Sequence, residues 1–367
     1  MTKFILMVFM AGMGLVCGCQ PTQTGSSPTS TPMQVIRQVL SQPTRAATIA
    51  HTPDVTLVST VALSQMDDVT DYPTAVSTTM PVPSRVVLDP NSIRSTAFPT
   101  EPAPTSASGP YGWSVDLSEA VHAIFNRGQQ LGNHSDLFVK VGDSLTVATY
   151  VFYPIGWGTY DLHGFVYLEP TIQFFSARRI GNDNAFSRIS LAADNGWTTN
   201  SVLDPARANP ELCRPAEPPL VCEYRIVKPT IALILLGTND VAEIDQAQFE
   251  SNMRFILSTS IARGIIPVMT TIPERSGFEG QVAAFNKTII ELANEYELPL
   301  LDYHRAMSGL PNDGLSSDGV HPSWPPGDFV EAGNFATQNL QYGYTMRNLT
   351  GVMILDAIRT QLPLTGE

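Results

Sequence analysis

The sequence predicts an α/β domain with three layers, helices lying on both sides of a doubly wound, five-stranded parallel sheet. Two observations predict it. Runs at 137–141, 186–192, 230–236, 265–271 and 298–301 read as strands buried on both faces, the pattern of a parallel sheet covered by helices. Helical periodicities fall between these runs, and strand–helix alternation is what builds doubly wound sheets.

The elements follow in order. The first strand, Leu137-Phe138-Val139-Lys140-Val141, runs directly into Gly142-Asp143-Ser144-Leu145. The second is followed by Asp194-Asn195-Gly196-Trp197-Thr198-Thr199, and the third by Gly237-Thr238-Asn239-Asp240. A helix begins near Asp245, where Gln248 three residues later suggests a capping box. Phe249, Met253, Ile256, Leu257 and Ile261 recur along it at helical spacing, and Gly264 is placed to end it before the fourth strand. A second helix runs from about 279 to 296 with Val282, Phe285, Ile289 and Leu292 on one face, and leads to the fifth strand. A last helix covers 346–361. No internal repeat is evident.

The N-terminal part differs. Lys3 precedes an apolar run over 4–16, shorter than the roughly 20 residues needed to span a bilayer, so 1–18 reads as a secretory signal. Val16-Cys17-Gly18-Cys19 resembles a bacterial lipobox, in which cleavage precedes a cysteine that carries lipid. Cys19 fits because the small Gly18 stands before it, whereas Val16 stands before Cys17. The expected product is an extracytoplasmic protein of the cell envelope, in contact with a membrane through a lipid anchor at Cys19. From 19 to 108 nearly half the residues are Ser, Thr or Pro, a composition that cannot bury enough apolar surface to offset its ordering entropy. It reads as a disordered tether that holds the domain, 109–367, away from the membrane.

The whole chain carries a formal charge of −13. Lys3 is the only charge in the signal segment, and the tether has four basic and six acidic residues, which leaves −12 on the domain. That charge argues against nucleic acid and anionic membrane surfaces as partners. Cys213 and Cys222 flank a short loop, and outside the cytoplasm a local disulfide is the natural expectation. Their spacing matches no zinc pattern.

Open parallel sheets place their sites beyond the carboxyl ends of the strands, which is where the polar clusters fall. Asp318-Gly319-Val320-His321-Pro322 adds another, after the fifth strand. A serine hydroxyl is a weak nucleophile and needs a base. His321 can take the proton of Ser144, and Asp318 can orient and stabilise the imidazolium. The oxyanion needs preorganised donors, for which the backbone N–H groups of Ser144 and Gly196 and the Asn239 amide are candidates.

These clusters resemble four sequence blocks of the SGNH, or GDSL, hydrolase family. Gly142-Asp143-Ser144-Leu145 resembles the first, Gly196 the glycine of the second, Gly237-Thr238-Asn239-Asp240 the third, and Asp318-x-x-His321-Pro322 the last, in the family's order. The resemblance implies a flavodoxin-like, three-layer α/β fold of the SGNH-hydrolase type. It also implies Ser144 as nucleophile, His321 as base and Asp318 as acid, with Ser144, Gly196 and Asn239 forming the oxyanion hole. The implied activity is hydrolysis of ester or thioester bonds, with no metal or organic cofactor.

Asp302-x-His304 with Asp313 lacks a clearly spaced third ligand and is not taken as a metal site. The aromatic residues between 152 and 175 suit packing of an added loop and helix, while Trp157 and Trp197, each beside a glycine, are candidates for a pocket wall. The expected substrate is a carboxylic ester, either an acetylated saccharide or an acyl (lipid) ester. Two alternatives stand beside hydrolysis: an acyltransferase using the same residues, and a non-catalytic surface-binding lipoprotein.

Overall fold

The structure, a computed structural model, describes residues 117–366. The expected signal, Cys19, the tether and the first residues of the domain lie outside the described residues.

Four parallel strands lie side by side in chain order: β1 (His134–Gly142), β2 (Pro229–Leu235), β3 (Ile266–Thr270) and β4 (Leu300–Leu301). Their registers bring Gly142 opposite Leu235, Ile234 opposite Met269, and Thr270 opposite Leu301. Nearly every residue of β1, and every residue of β2 and β3, is buried, as strands covered on both faces require.

The expected second strand, 186–192, is not a strand; among the described residues the sheet has four. Local side chains take the backbone groups that a neighbouring strand would have used. Asn184 Oδ1 accepts from the N–H groups of Phe186 and Ser187, Ser190 Oγ from Ala192 N–H, and Glu223 from Leu191 N–H. The buried Lys140 ammonium holds the segment from below, donating to the Phe186 carbonyl at 2.8 Å. Only its end reaches the sheet, where Gly142 N–H donates to Ala192 O at 3.1 Å and a single parallel bridge joins Gly142 to Ala193. The segment therefore occupies the outer side of β1, where a second strand would lie in a doubly wound sheet.

Six longer helices surround the sheet: α1 (Glu119–Gln130), α2 (Glu169–Ala177), α3 (Pro219–Val227), α4 (Gln246–Ala262), α5 (Glu279–Glu295) and α6 (Gly343–Gln361). Asp245 caps α4 by accepting from Gln248 N–H at 2.8 Å, and Gly264 follows the helix at φ 64°. The Gln248 side chain turns to Asn252, so it does not reciprocate the cap. Phe249 of α4 stacks on Phe285 of α5 with centroids 4.3 Å apart. On β1, Phe138 meets Phe152, Phe175 and Phe186 edge to face. Most of the aromatic segment after Ser144 is thus core packing. The Cys213–Cys222 disulfide forms just before and within α3. Among the described residues no helix is long and apolar enough to cross a membrane.

Candidate active site

β1 delivers the first component. Gly142 ends the strand where a Cβ would lie 2.7 Å from Leu235 O and closer still to the Thr146 hydroxyl, so only glycine permits the turn. Asp143 then caps the short helix Ser144–Val147 through Leu145 N–H at 2.9 Å. Ser144 heads that helix, so its own N–H is one of the donors a helix start leaves free.

The second component comes from a tight hairpin late in the chain. Leu315 bridges Pro322, and Ser316 N–H donates to His321 O at 2.8 Å. Within the hairpin, Asp318 Oδ1 accepts from the backbone N–H groups of Val320 and His321, each at 2.9 Å, and from the Ser316 hydroxyl at 2.8 Å. Asp318 Oδ2 lies 2.8 Å from His321 Nδ1. Partial burial works against the ionised carboxyl, but the His321 and Val320 N–H groups, the imidazole and the Ser316 hydroxyl outweigh it and hold Asp318 well below the usual carboxylate range. An ionised Asp318 accepts from Nδ1–H, which leaves Nε2 of the neutral ring as an acceptor. Ser144 Oγ sits 2.9 Å from that Nε2, 177 residues away in sequence, and donates to it.

The third component is the loop carrying Gly196. Gly196 has φ 72°, a conformation that favours glycine, and a Cβ there would meet nothing within 4 Å, so the space above it is open. Three side chains fix this loop. Asn239 Nδ2 donates to Trp197 O at 2.9 Å, Asp240 Oδ1 accepts from Thr199 N–H at 2.9 Å, and Asn252 Nδ2 donates to Thr199 Oγ1 at 2.8 Å. Asn239 keeps its second amide hydrogen. Sequence reasoning named Asn239 but not the anchoring role of Asp240 or Asn252, whose partners lie 41 and 53 residues away.

Beneath Ser144 lies a buried charged cluster that the sequence did not signal. Burial pushes the Asp143 carboxyl up to about 7; the Leu145 N–H opposes this, Asp240 adds to it, and Arg347 and His321 offset it. Burial also raises Asp240 and lowers Arg347. Arg347, fully enclosed on α6, lies over the Tyr303 ring at 5.3 Å. Asp143 Oδ2, Asp240 Oδ2 and the Nε and Nη1 of Arg347 are buried without hydrogen-bond partners among the described residues. Such groups are costly to hold and concentrate at functional sites.

The other expected residues fall as follows. Trp197 is buried and lines a cleft of about 390 Å³ beside the Gly196 loop, with Val147 of the Ser144 helix on its wall. Trp157 is exposed and packs on Tyr153 and Phe329. His304 pairs with Glu274 at 2.8 Å, while Asp302 accepts from Thr271 Oγ1, so the two do not converge on one point.

The GDSL-like lipase/acylhydrolase family model matches residues 141–324, half of the chain. No curated protein matches the chain significantly. Solved structures similar to it include a lipase/acylhydrolase from Enterococcus faecalis, 19% identical over 63% of this chain and 98% of that one, with a TM-score of 0.39. A carbohydrate esterase of family 3 from Talaromyces cellulolyticus is 18% identical over 60% of this chain and 97% of its own, at a TM-score of 0.40. A psychrotrophic esterase from Pseudoalteromonas sp. is 18% identical over 61% and 97%, at 0.38. The chain belongs to the GDSL-like lipase/acylhydrolase family. It is a serine hydrolase acting on ester bonds.

Proposed function

We propose that the protein cleaves carboxylic esters through an acyl-Ser144 intermediate. Ser144 Oγ attacks the ester carbonyl while its proton passes to His321 Nε2. Asp318, kept ionised, holds the ring by Nδ1–H and stabilises the imidazolium. The tetrahedral oxyanion is met by the N–H groups of Ser144 and Gly196 and the free amide hydrogen of Asn239. The bond to the leaving oxygen then breaks as His321 returns the proton to that oxygen. Water attacks the acyl-serine, gives a proton to His321, and the carboxylic acid departs as that proton restores Ser144.

The observation that carries this reading is the continuous chain Asp318–His321–Ser144, with contacts of 2.8 and 2.9 Å. Purified protein should turn over p-nitrophenyl acetate, and Ser144→Ala should abolish turnover; equal rates would overturn it.

The site of action we propose is the cell envelope, with Cys19 lipidated and 19–108 serving as a tether. The support is the order of short apolar run, Gly18-Cys19 and Ser/Thr/Pro-rich segment. Growth with an alkyne-bearing palmitate should label the wild-type protein. A Cys19→Ala variant that took up the same label would contradict the assignment.

A further inference from the structure

On the His321 side of the site, three aromatic rings form a short ladder that the chemistry of ester cleavage does not use. Tyr344, almost fully buried, stacks on Tyr150 with centroids 5.1 Å apart and planes at 17°. Tyr150 stacks on Trp324 at 5.5 Å and 23°. Trp324 is the outermost ring, three residues past His321, and remains 46% exposed. The ladder is held in place rather than hung on a loose loop. Ser323 accepts from Tyr344 N–H at 2.9 Å through its carbonyl and from Gly343 N–H at 3.1 Å through its hydroxyl. Asn348, buried in α6, donates to Tyr150 O at 2.8 Å. Tyr344 lies near enough to Asp143 and Asp318 for both carboxyls to act electrostatically on its hydroxyl.

An indole held three residues past His321 with this much surface in water offers a flat apolar face to a bound ligand. The cleft by Gly196 indicates its chemistry. Its wall is mixed: Asp194, Asn195, Arg207 and Asn209 contribute polar groups, interspersed with apolar surface from Val147, Tyr153, Ile189, Leu191 and Trp197. A long acyl chain is better served by a continuous apolar wall. A sugar presents both surfaces these walls match: an apolar C–H face for an aromatic ring, and hydroxyls for amide and carboxylate side chains.

We propose that Trp324 is the stacking platform for the sugar ring of an O-acylated saccharide whose short acyl group is removed at Ser144. Asn195 and Asn209, in the cleft by Gly196, take its hydroxyls. This rests on the esterase reading above and narrows it to one substrate class.

The test compares full-length wild type, Trp324→Ala and Trp324→Phe on three substrates: p-nitrophenyl acetate, p-nitrophenyl palmitate, and a set of O-acetylated gluco- and xylo-oligosaccharides. The wild type should prefer the best acetylated oligosaccharide to the palmitate ester. In Trp324→Ala the ratio of kcat/KM for that oligosaccharide to kcat/KM for p-nitrophenyl acetate should fall about fivefold, mainly through KM, as loss of one aromatic stack implies. Trp324→Phe should recover most of the ratio. An unchanged ratio in Trp324→Ala, or a wild type that prefers the palmitate ester, overturns the proposal while leaving the esterase reading intact. A folded wild type inactive on every ester overturns both.

Discussion

The Asn239 side chain donates to the carbonyl of Trp197 at 2.9 Å, and so ties the loop after β2 to the loop that carries Gly196. Two of the proposed oxyanion donors, contributed by segments about forty residues apart, are thereby set by one amide. Asp240, the next residue, adds a second tie through Thr199 N–H. The proposed oxyanion hole is thus preorganised by the protein's own hydrogen bonds.

Asn239→Ala removes one donor and frees the Gly196 loop together. The expected loss in kcat on p-nitrophenyl acetate is about 10²–10³-fold. Steady-state kinetics check it; a loss confined to KM would contradict the oxyanion role.

Asp318→Asn replaces the acceptor for His321 Nδ1–H and favours the wrong tautomer. A fall in kcat of about 10³-fold or more is expected, with the fold retained, because the Asp318 side chain is exposed. Circular dichroism alongside kinetics separates this effect from unfolding.

Asp143 sets a pH dependence of stability. Its carboxyl rises from 3.8 to about 7 on folding, so between those values the native state binds more protons than the unfolded one. Rising pH therefore destabilises the native state across that window. Asp240, also raised, acts in the same direction. Asp318, lowered, contributes stability that is lost only in more acid solution. Asp143→Asn should flatten the decline in Tm between pH 4 and pH 7, measured by calorimetry; an unaltered slope would rule out Asp143 as its source.

Gly351 lets α6 pass against the loop that carries Phe152. A Cβ at Gly351 would collide with the Phe152 ring, and Phe152 is itself buried and left-handed at φ 63°. Gly351→Ala should cost about 2 kcal/mol and lower Tm by about 4–8 °C, read by thermal unfolding.

Replacing Cys213 and Cys222 by serine opens a loop closed over nine residues. The loss of stability should be about 2–3 kcal/mol, visible in urea titration as a lower midpoint.

The parts of this site that could be read from the sequence are those whose chemistry is local. Gly142 to Leu145 and Asp318 to His321 carry their own turns, caps and reactive groups, and three full strands were legible as buried apolar runs. The segment 186–192 looked like a strand because periodicity does not show that Asn184, Ser190 and Glu223 would take its backbone groups. Nothing in the sequence of the last helix marks Asn348 or Arg347. Their roles depend on partners such as Tyr150, 198 residues from Asn348, that only the fold brings near. Trp324 stood next to the last motif, but its stack on Tyr150 joins two loops that no spacing rule relates.

The central claim is that Ser144 forms the acyl-enzyme, and covalent capture tests it most directly. Protein treated with a fluorophosphonate, digested and analysed by mass spectrometry should carry the adduct on the peptide containing Ser144, and the Ser144→Ala protein should carry none. A folded wild type that remains unlabelled, or a label that persists on another residue in Ser144→Ala, would contradict it.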